Sequence, residues 1–269
     1  MSEVADILRR IVDQRRSRIE EALESELRPG VSDVEKTPDS PPSSLFVESL
    51  STTAGRAVIA EVKLGSPRLG SLVAVVDPVR QARLYAENGA AAISVVVEPD
   101  FFHGSYELLT RCRQASGLPA LAKDFVVHPI QLEWARQAGA AAILLIAALH
   151  SAQELLELAE RARQLGLVPL VECHARGDLD RLRGGQWELV GINNRDLRTF
   201  EVDMQRSVEM LPELPPDSLK IAESGIHSAA DVSRLAAAGF DAFLIGETLL
   251  LADEPGEKLR HLVGAETGR

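Results

Sequence analysis

Two short stretches decide how this chain folds: Ala57-Val-Ile-Ala-Glu-Val-Lys63 and Pro119-Ala-Leu-Ala-Lys-Asp-Phe125. Each is an apolar run too short for an isolated helix, and each gives out at a lysine. The chain has only five lysines, Lys36, Lys63, Lys123, Lys220 and Lys258. Two of them stand where a buried run ends. A surface lysine needs no such address, whereas a lysine at the open end of a buried parallel sheet is placed to meet a ligand.

Runs of the same kind recur at Ala91–Val97, Ala142–Ile146, Val168–Val171, Glu188–Ile192, Leu219–Ala222 and Ala242–Ile245. Near-continuous hydrophobicity over so few residues suits strands buried on both faces of a parallel sheet. Between the runs lie helical patterns: Pro78–Asn88, Ser105–Ala115, Pro129–Ala138, Ser151–Leu165, Asp178–Arg183, Met204–Leu211, Ser228–Ala238 and Pro255–Val263. Several open on Pro or Ser and close on a glycine, as at Gly89, Gly139, Gly166 and Gly239, which is the usual punctuation of helix ends. Eight strands alternating with eight helices predict a (β/α)8 TIM barrel, and 269 residues is the usual size of one such domain. The alternative is a doubly wound open sheet. Its dinucleotide-binding form requires a Gly-x-Gly-x-x-Gly turn, and the chain has none.

The segment before the first strand, residues 1–50, is expected to be a helical extension and linker of this single domain. Val4–Leu27 is amphipathic, with Val4, Ile7, Leu8, Ile11 and Val12 along one face. Arg28–Ser44 holds four prolines and is expected to be irregular or extended; Leu45–Leu50 follows as a short helix. The extension either covers the barrel mouth or plugs its bottom. The arginines Arg15, Arg16 and Arg18 share their helix with Glu20, Glu21, Glu24 and Glu26, a pattern expected of a solvated face.

Composition narrows the class. A formal net charge of −11 argues against a nucleic acid or other polyanion as partner. No apolar run approaches the ~20 residues needed to span a bilayer, and the charged N-terminus has no signal-peptide core, so a cytoplasmic protein is expected. Cys112 and Cys173 make neither a disulfide framework nor a Cys-x-x-Cys metal site. The six histidines show no metal-ligand spacing. His174, two residues after Glu172, is placed either to support that carboxylate from behind or, the favoured reading, as a loop histidine. Ser224 and His227 lack the nucleophile elbow that a Ser–His pair requires.

Barrel chemistry sits at the C-terminal ends of the strands. There the sequence places Glu61 and Lys63, Glu98, Lys123 and Asp124, Glu172, Asn193, Asn194 and Arg195, Glu223 and Ser224, and Gly246 and Glu247. Charges at the ends of buried strands are costly unless paired or used, and so many converging on one face point to use. Glu61 and Lys63 are two apart and share a strand face. Carboxylate neighbours hold a lysine protonated, as a general acid must be, and a buried carboxylate can serve as base. Ser224-Gly225 and Gly246-Glu247 end the seventh and eighth strands. Glycine there lets backbone N–H groups approach an anion, where barrels often hold a phosphate.

Glu61-Val-Lys63 with Ser66-Pro67, Phe102 to Ser105, Lys123-Asp-Phe125, Glu172, Gly191-Ile-Asn-Asn-Arg-Asp-Leu197, Glu223-Ser-Gly-Ile226 and Gly246-Glu-Thr248 together resemble the indole-3-glycerol phosphate synthase family over nearly the whole chain. The resemblance implies a barrel with an N-terminal extension that acts in tryptophan biosynthesis without organic cofactor or metal. It implies ring closure of 1-(2-carboxyphenylamino)-1-deoxyribulose 5-phosphate, with loss of carbon dioxide and water. It makes Lys123 the acid at the ribulose carbonyl and Lys63 the second acid. Glu61 and Glu172 become candidate bases or charge partners, with Asn193 and Glu223 holding hydroxyls and the lysine network. Ser66, Ser224, Gly225, Gly246 and Glu247 would form the phosphate end. Pro67, Phe102, Phe125 and Leu144 would wall the aromatic ring, and Arg195 would orient substrate or loop. A monomer or weak homo-oligomer is expected.

The chain departs from the family at one loop. A basic residue usually follows the first lysine, but here it is Leu64, and Arg68 replaces a serine. If the family geometry holds, Leu64 lies near the phosphate and Arg68 is the alternative source of a cation. The competing functions are a divergent paralog, a phosphoribosylanthranilate isomerase, which wants an Asp/Cys pair, a Schiff-base aldolase using Lys123, and a noncatalytic phosphate binder.

Overall fold

The computed structural model describes residues 3–24, 43–52, 56–196 and 201–264. Its eight barrel strands are β1 (Ala57–Val62), β2 (Ala92–Val96), β3 (Ala120–Lys123), β4 (Ala142–Ile146), β5 (Val168–Cys173), β6 (Leu189–Asn193), β7 (Leu219–Glu223) and β8 (Ala242–Ile245). Each pairs in parallel with its sequence neighbours, and β8 pairs with β1, so the sheet closes. Closure removes every edge and buries both strand faces. Residues 57–62 are all buried, as are 92–96, 142–146, 168–173 and 242–245.

The helices are α1 (Glu3–Glu24), α2 (Ser43–Ser51), α3 (Pro78–Glu87), α4 (Tyr106–Ser116), α5 (Ile130–Gln137), α6 (Ala152–Gln164), α7 (Arg176–Leu179), α8 (Met204–Met210), α9 (Ala229–Ala238), α10 (Glu247–Leu250) and α11 (Pro255–Val263). Their ends follow from the punctuation. Ser151 caps α6 through the amide of Glu154, whose side chain returns to Ser151. Gly239 ends α9 at φ 116°, a conformation in which a Cβ is strained. Short α10 and a small hairpin pairing Gly65–Ser66 with Gly70–Ser71 were not expected from the sequence; both are too short to carry a periodic signal.

The two helices before β1 take opposite ends of the barrel. On α2, Phe46 and Leu50 are fully buried in the inner cluster with Ala57, Ile59, Ala92, Ala142, Val168 and Ala242, which lie at or near the starts of their strands. So α2 plugs the bottom. On α1, Ile7, Leu8 and Ile11 line the cavity at the opposite, C-terminal end. The extension therefore does both of the things the sequence left open. The side chain of Val4 and the 25–42 connection lie outside the described residues.

What seats α1 is a buried ion pair, and this corrects the solvated-face expectation. Arg15 is 4% exposed. Its Nη2 lies 2.5 Å from Asp124 Oδ2 and its Nε donates to Oδ1 at 3.0 Å. Tyr106 Oη and Gln131 Nε2 donate to the same carboxylate at 2.9 and 2.8 Å, and Trp134 packs under the guanidinium. Arg18 pairs with Asp100 at 2.6 Å from a half-exposed position. An arginine among glutamates looks solvated until the fold brings a partner from 109 residues away.

Removing one partner of a buried pair strands the other charge. Arg15→Ala is expected to lower unfolding free energy by about 3–5 kcal/mol, measured by urea denaturation. A loss under about 1 kcal/mol, the range of exposed pairs, would show that this contact does not seat the helix.

Candidate active site

Four charged side chains meet at one level inside the open end, one from each odd-numbered strand: Glu61, Lys123, Glu172 and Glu223. Layers of four from alternate strands are how eight-stranded barrels fill their interiors. Here the layer is ionic. Lys123 Nζ lies 3.2 Å from Glu223 Oε2, 3.5 Å from Glu172 Oε2 and 3.7 Å from Glu61 Oε2. Lys63, on the same face as Glu61, donates to Glu61 Oε1 at 2.8 Å.

The even-numbered strands make the room. A Cβ on Gly191 of β6 would sit 2.2 Å from Glu223 Oε1, and one on Gly246 after β8 would sit 2.2 Å from Glu61 Oε1. Gly246 was expected only as a phosphate contact; the structure gives it this second use. Beneath the layer Ile59, Leu121, Leu170 and Ile221, each two residues before its charged neighbour on the same strand, form an apolar floor. Charges over such a floor interact strongly.

That environment sets the protonation states. Burial disfavours the Lys123 ammonium, but Glu223, Glu172 and Glu61 outweigh it and hold the lysine above its ordinary range. Burial likewise opposes ionisation of Glu172, yet Lys123 and His174 keep its carboxyl below the usual range. Glu61 is also held low, against burial, by Lys63 and Lys123. Glu223 goes the other way: burial and the Glu172 charge push it well up. The site thus combines a lysine held protonated, two carboxyls held toward their ionised form and a third, Glu223, whose hold on a proton is strengthened, a set able to move protons in both directions.

A cavity of about 220 Å³ opens above the layer. Pro67, Phe102, Phe125 and Leu144 form apolar walls with α1 as roof, and the two phenyl rings are 6.0 Å apart. Ser66, Asn193, Arg195, Ser224, Gly225, Gly246 and Glu247 also line it. Ser224 and Gly225 are both left-handed, at φ 66° and 71°, and a Cβ on Gly225 would meet Val202. Arg68 is ion-paired with Glu247, and Arg195 lies 3.6 Å from the same carboxylate.

Several expectations change. Leu64 packs on the outer core, while Arg68 lines the cavity. In the bend after β1, Leu64 therefore turns away from the cavity that Lys63 and Arg68 line, against the expectation that it lies at the cavity's phosphate end. Glu98 accepts the amides of Asp100, Phe101 and Phe102 at 2.9, 2.8 and 3.0 Å; it shapes the turn that presents Phe102. Asp124 seats α1. Asn194 is buried, donating to Ser224 O at 2.8 Å and accepting from Ser207, and so ties the ends of β6 and β7. Leu197 lies outside the described residues. His174 stands in the bend after β5, as expected of a loop residue, yet it is buried with Nε2 2.6 Å from Glu172 Oε1. That is the supporting place which its two-residue spacing from Glu172 offered. His227 and Thr248 also line the cavity.

A model of the indole-3-glycerol phosphate synthase family matches residues 8–262. The chain is 46% identical over 211 residues to the indole-3-glycerol phosphate synthase of Koribacter versatilis (strain Ellin345), covering 78% of this chain and 81% of that protein. It is 47% identical over 205 residues to the enzyme of the same name from Rhodopirellula baltica, covering 76% and 79%. With that of Burkholderia vietnamiensis it shares 47% identity over 206 residues, covering 77% and 79%. Among solved structures it resembles a thiamine phosphate pyrophosphorylase from Pyrococcus furiosus, with a TM-score of 0.57 and 14% identity over 78% of this chain and 95% of that one. That likeness is one of fold alone.

The glycine that makes room for Glu223 is open to test. Gly191→Ala is expected to displace that carboxylate and cut turnover at least tenfold while the circular dichroism spectrum stays native. Unchanged kcat would mean that the layer tolerates the methyl group and that the vacant Cβ position has no role.

Proposed function

Because the chain belongs to the indole-3-glycerol phosphate synthase family, we propose that the ionic layer around Lys123 is where it closes the indole ring. The enzyme is a carboxy-lyase of tryptophan biosynthesis. It converts 1-(2-carboxyphenylamino)-1-deoxyribulose 5-phosphate by ring closure, decarboxylation and dehydration. The observation that carries the site assignment is Lys123 Nζ within 3.7 Å of three buried carboxylates, beneath an apolar-walled cavity.

The aromatic carbon is a weak nucleophile, so the ribulose carbonyl must gain positive character before it is attacked. Lys123, kept protonated, donates to that oxygen as the bond forms. Lys63 faces the same space, neutralises the substrate carboxylate until carbon dioxide leaves, and is the second acid when hydroxide departs. Glu172 and Glu61 are the ionised groups able to take the final proton. Glu223 and Asn193 bind substrate hydroxyls. Phe102, Phe125, Pro67 and Leu144 sandwich the anthranilate ring. Ser66, Arg195, the left-handed Ser224–Gly225 turn, Gly246 and Glu247 form the phosphate end, with Arg68 as its added cation.

The same geometry weighs against the other enzymes. A Schiff-base lysine must be an uncharged amine to attack, and three carboxylates oppose that state. An Asp/Cys acid–base pair would need a reactive thiol, but Cys112 and Cys173 lie in the outer core, where burial pushes Cys112 up to about 12 and Cys173 higher still. Among the described residues no helix is long and apolar enough to cross a membrane, and no cluster of three or more His, Cys, Asp or Glu side chains could hold a metal ion. We take the chain as one domain acting in the cytoplasm, as a monomer or weak homo-oligomer.

Incubating the purified protein with the carboxyphenylamino-deoxyribulose phosphate should produce indole fluorescence; none under any condition would refute the reading. Lys123→Ala should lower kcat by about 10²–10⁴-fold, the usual loss of a positioned acid, and a rate within a few-fold of wild type would remove Lys123 from the chemistry.

The loop substitutions separate two cations. A charge-assisted contact to phosphate is worth roughly 1.5–3 kcal/mol, so Arg68→Ala should raise KM about tenfold or more with little change in kcat, because phosphate is held alike in ground and transition states. Leu64→Arg should leave KM nearly unchanged. A large fall in KM for Leu64→Arg would return residue 64 to the phosphate.

A further inference from the structure

His174 stands just past β5, 5% exposed, and both its ring nitrogens are engaged. Nδ1 lies 3.1 Å from the carbonyl oxygen of Arg195, and Nε2 lies 2.6 Å from Glu172 Oε1. A carbonyl oxygen only accepts, so Nδ1 carries hydrogen; an ionised carboxylate also only accepts, so Nε2 carries one too. The other arrangement, with the proton on Glu172, would leave that carboxyl neutral beside the Lys123 ammonium 3.5 Å from its second oxygen, and the ammonium favours the charged form. The remaining charges around the ring are Asp178 of α7, whose Oδ2 accepts the amides of His174 and Ala175 at 2.9 and 3.0 Å, and Arg181, which pairs with Asp178 Oδ1 at 2.7 Å. Glu223 and Lys123 lie beyond Glu172.

We propose that His174, as an imidazolium, is a positioning residue that fixes the Glu172 carboxylate in one orientation and keeps it ionised through turnover. This rests on the reading that Glu172 works in the ring-forming reaction. The need arises when Lys123 gives up its proton. Glu172 then loses one of its two neutralising neighbours while still buried. A second cation that is not consumed by the chemistry holds the carboxylate ready for the last proton transfer. Burial alone would strip the proton from His174, but Glu172 and the hydrogen bond to Arg195 O reverse this and raise its proton affinity.

The charge is tested directly by 15N NMR of the labelled protein. At pH 7 both ring nitrogens of His174 should be protonated, and in Glu172→Gln its titration midpoint should fall, because the counter-charge is gone. A singly protonated ring in the wild type, or a midpoint unmoved in the variant, overturns the proposal. The function is tested with His174→Gln, whose amide donates to Glu172 without a charge. The acidic limb of the kcat profile should move up by roughly one pH unit or more, the effect of removing an adjacent opposite charge, while KM for the substrate changes little. A kcat profile superimposable on that of the wild type overturns it, since a merely structural histidine would alter the melting temperature but not the limb. Should His174→Gln fail to fold, the NMR pair decides. A wild-type protein that forms no indole product would refute the functional reading instead, and the NMR result would still report the ring's charge.

Discussion

A lysine ammonium held among three carboxylates inside an apolar barrel is the constraint on which the rest of the structure depends. Ionised groups withdrawn from water are tolerable only where each finds compensation. Glu61 has two lysines, Glu172 has Lys123 and His174, and Glu223 has Lys123 at 3.2 Å. The neighbouring strands give space rather than atoms at Gly191 and Gly246. Leucine and isoleucine fill the barrel below, Phe46 closes its base, and α1 roofs the other end. The large apolar interior carries the stability, and the polar layer is confined to the level where substrate enters.

The fold was legible because each barrel strand is buried on both faces, and double burial prints as a short apolar run. Strand ends were legible for the complementary reason: a charge at the end of such a run is expensive unless it has a use. That argument found Lys123, Glu172 and Glu223 and placed Glu61 beside Lys63. It could not separate use from architecture. Glu98 and Asp124 carry the same signature, yet one shapes a turn and the other anchors a helix. Contacts between distant segments left no local trace. Arg15 sits in an acid-rich helix whose sequence says nothing of Asp124, and nothing local in α1 or α2 says which of them plugs the barrel and which roofs it. Resemblance pointed Leu64 toward the cavity, whereas it packs on the outer core.

Asp124 follows Lys123 directly, so the roof helix is bonded to the residue next in chain to the lysine of the ionic layer. The same carboxylate is held by Tyr106 of α4 and Gln131 of α5. The position of the β3 end is therefore over-determined from three helices, and the lysine inherits that fixity through one peptide bond. On the far side of the mouth, Arg68, Glu247 and Arg195 join the ends of β1, β8 and β6 through partly exposed pairs. One rim is tied by buried bonds; the other is tied by pairs that solvent reaches.

The solvated rim has a consequence for how substrate arrives. The chain carries a net charge of −11, and its substrate is an anion with both a carboxylate and a phosphate. Beyond roughly 8 Å, the screening distance at physiological salt, the two meet as weakly repelling bodies. Inside that distance an approaching anion meets a mouth lined by Arg68 and Arg195, with Lys63 and Lys123 deeper in the funnel. Glu247, which pairs with both arginines, sets how much of that attraction reaches outward. Salt therefore acts on encounter in two opposed ways, relieving the global repulsion while weakening the local pull. Capture speed is governed by the balance between them rather than by the sign of the net charge.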